Sequence, residues 1–289
     1  MDLDDFKESS NVEDRRSSRG GFGGGISMRS LFMLAPVIRM LLRTKFGWAI
    51  IAIGAFAYFS GALNFLTSGG AVGSSSANDD KEAKFIGKVL TTTEEIWSNL
   101  LPKYGLRYQK PKLVLYRGHT TSGCGFASAQ MGPFYCPADR KVYLDLGFFD
   151  ELARRHNAPG DFAQAYVLAH EIGHHIQNLQ GTLQKVQQIQ QRFGNSPKAN
   201  ALQVRVELQA DCYAGVWAHH AQKRFRVLEP GDIEEALRAA SSIGDDTLQK
   251  ESQGYVVPDS FTHGTSRQRV EWFKRGFMSG DLRSCNTFN

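Results

Sequence analysis

Cysteine is scarce in this chain: Cys124, Cys136, Cys212 and Cys285 are the only four among 289 residues. None stands in a C-x-x-C pair, which excludes a cysteine zinc cluster and a thioredoxin-like redox site. A long block of basic charge is also missing. Lys and Arg number 34 against 29 Asp and Glu, and the short cluster Lys223, Arg224, Arg226 reads as a solvated helix end. Charge so dispersed gives no footprint for nucleic acid. No internal repeat is visible. Composition is otherwise that of a folded protein, with 42% hydrophobic and 22% charged residues, which excludes a wholly disordered chain.

Long apolar runs are absent too, with one exception. Residues 46–66 read FGWAIIAIGAFAYFSGALNFL, without a charge. At about 1.5 Å per residue this run spans a hydrocarbon core of about 30 Å. Arg29, Arg39, Arg43 and Lys45 precede it, and no charge follows until Asp79. The positive-inside rule then predicts a single-pass anchor in the inner membrane, with the N-terminus cytoplasmic and the rest extracytoplasmic. On this reading residues 1–45 are a disordered or interfacial tail, 46–66 the transmembrane helix and 67–79 a Gly/Ser linker. The folded domain then occupies 80–289. In an oxidising compartment four cysteines fit two disulfides, and Cys124 and Cys136 bracket a Gly-rich loop that a local bridge would close. Four buried thiols are the alternative.

Within the domain, helical spacing covers residues 84–101, 148–156, 161–179 and 198–223. Further helices are expected after Pro230-Gly231-Asp232 and after Thr265. Residues 112–116 and 141–146 read as strands. The expected class is α+β with helices in the majority.

The sequence VLAHEIGHHIQ places His170, Glu171 and His174 in an H-E-x-x-H arrangement on the helix 161–179. Residues four apart lie on one face, so both imidazoles can hold one cation, and neutral imidazole suits zinc. Glu171 is turned by about 100° from His170, which leaves it free to act as general base on a water. Its apolar neighbours, Val167, Leu168, Ile172 and Ile176, argue for a buried helix rather than a surface one. His175, one residue off the ligand face, is either a support behind the ligands or solvated. Glu207 is the candidate third ligand. It forms E-x-x-x-D with Asp211 on a second helix whose neighbours are apolar, where an unpaired carboxylate is costly. Zinc would answer that for Glu207. A hydrogen bond to the second nitrogen of a ligand histidine would answer it for Asp211. The competing reading is an exposed acidic pair beside Arg205.

H-E-I-G-H followed by E-L-Q-A-D resembles the glutamate-liganded zinc peptidases (gluzincins). The stretch 124–269, with GPFYCPADRKVYLDLGFF, HEIGHHIQNLQG, ELQADCYAGVWA and FTHGTSRQR, is similar to the bacterial family of putative neutral zinc metallopeptidases. That resemblance implies a compact zincin-like fold behind one N-terminal membrane segment, a single zinc ion and hydrolysis of peptide bonds in a protein or peptide substrate. It also implies that the strand 141–146 is an edge that holds substrate by β-addition. The FTHGTSRQR segment resembles the C-terminal His…Arg element of membrane-associated gluzincins. By that likeness His263 stabilises the developing oxyanion and Arg269 orients it or the substrate. An N-cap turn after Thr265 is the plain alternative for both. Tyr213 and Tyr255 are further candidates for the oxyanion role. Two rivals stand beside the peptidase reading: a zinc-stabilised scaffold that binds without cutting, and a membrane-anchored interaction protein with no metal.

Overall fold

The computed structural model describes residues 1–17, 77–128, 131–155 and 160–288. Eight helices and six strands are present among them. The strands are β1 (Val12–Asp14), β2 (Lys112–Tyr116), β3 (His119–Ser122), β4 (Gly125–Ser128), β5 (Phe134–Cys136) and β6 (Lys141–Asp145). The helices are α1 (Ala77–Leu100), α2 (Leu146–Arg155), α3 (Asp161–Leu179), α4 (Thr182–Phe193), α5 (Pro197–Phe225), α6 (Asp232–Ser242), α7 (Asp245–Gln253) and α8 (Ser266–Ser279). The architecture is α+β and mainly helical.

Four strands form a sheet in the order β1-β2-β6-β5, and β3 pairs with β4 in a hairpin. β1, β2 and β6 run parallel, and β5 is antiparallel to β6. Residues 112–116 read as a continuous apolar run because both faces of β2 are covered. Leu113 and Leu115 face the helices with Trp97, Phe162 and Phe273, while Val114 and Tyr116 pack with Cys136 and Tyr143 on the other side.

The strand 141–146 is not the edge that the family likeness implied. β6 lies between β2 and β5, so among the described residues the edge on that side belongs to β5. Sequence gives little sign of β5, three residues long in a Gly- and Pro-rich stretch. It is tied back by the Cys124–Cys136 disulfide.

A larger correction concerns the N-terminus. Met1–Arg16 and Ser75–Asn289 make one compact unit, so residues 1–16 are not a separate disordered tail. Met1 and Leu3 are buried in the main core, and Val12, Glu13 and Asp14 pair with Leu113, Val114 and Leu115. The polar segment NVEDRR carries no alternation that marks a strand; the partner β2 imposes the extended form on it. The expected transmembrane helix 46–66, most of the linker and the rest of the tail lie outside the described residues. Among the described residues no helix is long and apolar enough to cross a membrane. α1 begins at Ala77, slightly ahead of the expected domain start.

Two close helix crossings fix α3, α5 and α8 against one another. A Cβ on Gly173 would stand 3.0 Å from the Ala210 backbone, so α3 and α5 approach to near backbone contact. Gly215 of α5 and Gly276 of α8 leave room for each other's helix, where a Cβ would come within about 2 Å of Phe273 or Cys212 carbonyl oxygens. The second disulfide, Cys212–Cys285, fastens α5 to the C-terminal turn beside that crossing.

Candidate metal centre and cleft

α3 and α5 cross beneath a cavity of about 620 Å³, lined by His170, Glu171, His174, Glu207, His263 and Arg269 among others. One donor atom each from His170, His174 and Glu207 lies within 4.8 Å of the other two. The Nε2 atoms of His170 and His174 stand 3.1 and 3.4 Å from Glu207 Oε2.

The other nitrogen of each imidazole is already engaged. His170 Nδ1 lies 2.8 Å from Asp211 Oδ1, and His174 Nδ1 lies 2.9 Å from Gln177 Oε1. Both partner atoms only accept, so both Nδ1 atoms donate. In the neutral tautomer each ring then turns the bare lone pair of Nε2 toward a carboxylate oxygen, a place that a proton or a metal ion fills. Three electron-rich atoms held face to face in a buried place repel unless a cation sits among them. Tetrahedral zinc with bonds of about 2.0–2.1 Å keeps its ligand atoms roughly 3.3 Å apart, close to both of these spacings. The donor set of two imidazoles and a carboxylate fits that ion by distance, charge and chemistry.

The electrostatics make the same demand. Burial disfavours a charged His170, but Asp211 and then Glu207 outweigh it and raise its pKa to about 10. His174 is raised as well, burial being overcome by Glu207. Glu207 is held well below the usual carboxylate range despite its burial, by His174 and His170. The cluster thus favours positive charge, carried by protons on the imidazoles or by a bound cation.

Behind the ligands lies a closed polar network. Asp211 is fully buried and accepts from the Tyr166 hydroxyl at 2.5 Å and from Arg269 Nε and Nη2 at 2.9 and 3.0 Å. Burial pushes its pKa up, but Arg269 and His170 bring it down to about 2. Arg269 is therefore locked behind the cluster, 2% exposed, and its guanidinium steadies Asp211 rather than pointing a charge at substrate. Its place follows from the Gly215–Gly276 crossing, which brings α8 onto α5. Gln203 donates to Glu207 Oε1 at 2.9 Å, and Gln177 also donates to the Val206 carbonyl.

His263 sits at the rim, on the turn before α8, with its side chain half exposed. Its Nδ1 lies 3.1 Å from Asp245 Oδ1. Asp245 Oδ2 in turn accepts the backbone N–H groups of Thr262, His263 and Gly264 at 2.8, 2.6 and 3.0 Å. Thr265 caps α8 in a reciprocal capping box with Gln268, so the plain N-cap turn and the rim histidine coexist in one segment. Tyr213 and Tyr255 do not line the cavity. The Tyr213 hydroxyl donates to Gln180 Oε1, and Tyr255 is largely exposed.

His175 is buried, not solvated. Its Nε2 donates to the Gln109 carbonyl and its Nδ1 accepts from the Tyr135 hydroxyl, which fastens β5 to α3. Burial lowers its pKa to about 4, so the ring is neutral.

Sequence reasoning missed Tyr166, Gln177, Gln203 and Asp245. Helical spacing could have found three of them: Tyr166 precedes His170 by one turn, Gln177 follows His174 by three residues, and Gln203 precedes Glu207 by one turn. Asp245 had no such signal, because only the tertiary fold brings α7 against the 261–265 turn.

A helix-rich α+β domain with a buried cluster of two imidazoles and one carboxylate below an open cleft defines the class: a candidate mononuclear metal protein. Comparison with known proteins sharpens this. The chain belongs to the family described as putative neutral zinc metallopeptidase, which it matches over residues 1–288. It is 52% identical to the uncharacterized protein YpfJ of Escherichia coli K12 over 98% of this chain and 96% of that protein. It is also 43% identical to the uncharacterized protein Rv2575 of Mycobacterium tuberculosis, over 68% of each chain. No solved structure matches it significantly.

Proposed function

We propose that this chain is a zinc peptidase with a zincin-like catalytic domain, in which His170, His174 and Glu207 hold one zinc ion. The observation that carries this reading is the convergence of two lone-pair nitrogens and a carboxylate oxygen at zinc-ligand spacing, each fixed from behind. The family description is in accord with it. When bound, zinc supplies Lewis acidity, polarising a carbonyl oxygen and acidifying a water.

The chain's own residues supply the rest. Glu171, beside the ligand pair and lining the cleft, takes the proton of the attacking water and hands it to the leaving amine. His263, whose Nδ1–H is donated to Asp245, stabilises the developing oxyanion as the imidazolium, donating from Nε2. The open edge of β5, running through Phe134 and Tyr135 on the cavity wall, holds an extended peptide by backbone pairing. Phe148, Leu183 and Leu248 give that peptide an apolar wall to bury a side chain against.

The test is peptide hydrolysis by the purified full chain, with zinc measured on the same samples. Glu171→Gln is expected to keep the metal and lose about 10²- to 10⁴-fold in kcat. Full activity in that variant, or wild-type cleavage that survives complete removal of metal, overturns the proposal. A metal-loaded wild type that cuts no member of a broad peptide library favours the scaffold reading instead.

A further inference from the structure

HEIGHH ends in a histidine that neither the metal cluster nor the cleft wall uses: His175, 1% exposed, next to the proposed ligand His174 on α3. Both of its ring nitrogens are committed. The Gln109 carbonyl can only accept, so Nε2 carries the hydrogen, and the bare Nδ1 accepts from the Tyr135 hydroxyl at 3.0 Å. The Tyr135 and Tyr108 rings meet the imidazole edge-on, their centroids 5.3 and 5.7 Å away. A ring clasped at both nitrogens and by two aromatic neighbours keeps one orientation, and it holds its partners in turn.

What it holds is the middle residue of β5. Successive side chains of a strand leave on opposite faces. Phe134 and Cys136 turn to the outer cluster, where Phe134 stacks on Tyr143 at 4.9 Å and Cys136 carries the disulfide to Cys124. Tyr135 turns the other way, into the main core, where its hydroxyl donates to His175 and accepts from Asn178 Nδ2 at 2.9 Å. Phe134 and Tyr135 also line the cavity. The strand on the cleft wall is thus pinned to α3 through one phenol hydroxyl, by a residue adjacent to a proposed metal ligand and another one turn beyond it.

A peptide paired with β5 presents its scissile bond to the metal cluster only if strand and helix keep one spacing. β5 is three residues long and, among the described residues, is hydrogen-bonded into its sheet along β6 alone. Loosened from α3, it would have to be ordered each time a peptide bound, and that cost falls on affinity. We propose that His175 is a positioning residue for the substrate. Through Tyr135 it sets the spacing between the peptide-holding edge and the metal-bearing helix, without itself touching metal, peptide or the reacting atoms. This inference rests on the peptidase reading of the cleft, with β5 as the edge that pairs with the peptide. The plain alternative is a core histidine that only stabilises the fold.

The test uses the zinc-loaded full chain and two substrates: an extended peptide long enough to pair with all of β5, and a blocked dipeptide too short to reach it. Tyr135→Phe keeps the ring and removes only the hydroxyl. It is expected to raise KM for the extended peptide by about 3- to 10-fold, with kcat, zinc content and cleavage of the dipeptide unchanged. His175→Phe should act in the same direction, and the double variant should be no worse than the poorer single one, as for two partners in one contact. Should His175→Phe fail to fold, Tyr135→Phe decides alone. Affinity for the extended peptide is also read by fluorescence anisotropy in a Glu171→Gln background, which separates binding from cleavage. Binding that weakens with Tyr135→Phe in a chain that never cuts defeats the peptidase reading and leaves the positioning role standing. Equal losses on both substrates, or an extended peptide bound as tightly by Tyr135→Phe as by the parent, overturn the positioning role alone. A chain that binds no peptide overturns both.

Discussion

The floor and the rim of the cleft are built on opposite plans. On the floor, His170, His174 and Glu207 rise from the middle of two long helices, and Asp211, Gln177 and Gln203 each fix one of them from behind. Asp211 is itself held by Tyr166 and Arg269. On the rim, His263 is half exposed on a turn, and Phe134 comes from a three-residue edge strand. A metal cluster needs ligand positions set to a few tenths of an ångström, which rigid helices and a closed network provide. A wall that accepts different peptides needs no such precision. On the proposed reading, metal geometry and substrate choice would be carried by separate layers of this fold.

Changes on the floor should therefore cost metal binding, and changes on the rim should alter substrate turnover or KM while zinc content stays constant. The largest effect is expected at Asp211. Asp211→Ala strands Arg269 as a buried charge and removes the Nδ1 partner of His170. Urea unfolding should show a loss of about 3–5 kcal/mol, and metal affinity should fall by about 10- to 100-fold. A loss below about 1 kcal/mol would mean the network is not closed as described.

The two disulfides extend the comparison. Cys212–Cys285 lies beside Asp211 and closes 73 residues, whereas Cys124–Cys136 ends the rim strand and closes 12. In the chain-entropy view, replacing the first pair by alanine should cost about 4 kcal/mol and the second about 3 kcal/mol. Only the second should disturb peptide KM while zinc content stays constant. Equal effects on zinc binding would blur the boundary between the two layers.

The smallest effect on the fold is expected at His263. His263→Ala should lower kcat by about 10²- to 10³-fold, with melting temperature and zinc content unchanged. A fall in zinc content would move His263 from the rim to the floor.

Legibility in the sequence follows the same division. His170, Glu171 and His174 could be read because helical periodicity and apolar flanks fix their common face within one local segment. Glu207 and Asp211 could be read because two carboxylates on an apolar helix face demand partners. Helix α3 was legible to the residue, and β2 was legible because burial on both faces writes a continuous apolar run. β1 was not, since NVEDRR is extended only by virtue of the strand it lies beside. The edge position of β5 was not either, because strand order is a property of the whole sheet. Nor was the Asp245–His263 pair, brought together across 18 residues by the packing of α7. What reads from sequence is periodic and local; what does not is set by long-range contact.

Zinc stoichiometry with X-ray absorption at the zinc edge is the most direct test of the central claim. The expected result is one zinc per chain with two imidazole nitrogens and a carboxylate oxygen in its shell. The signal should be lost on His170→Ala and weakened on Glu207→Gln. A wild-type protein that binds no zinc, or a zinc whose shell is unchanged by Glu207→Gln, would contradict it.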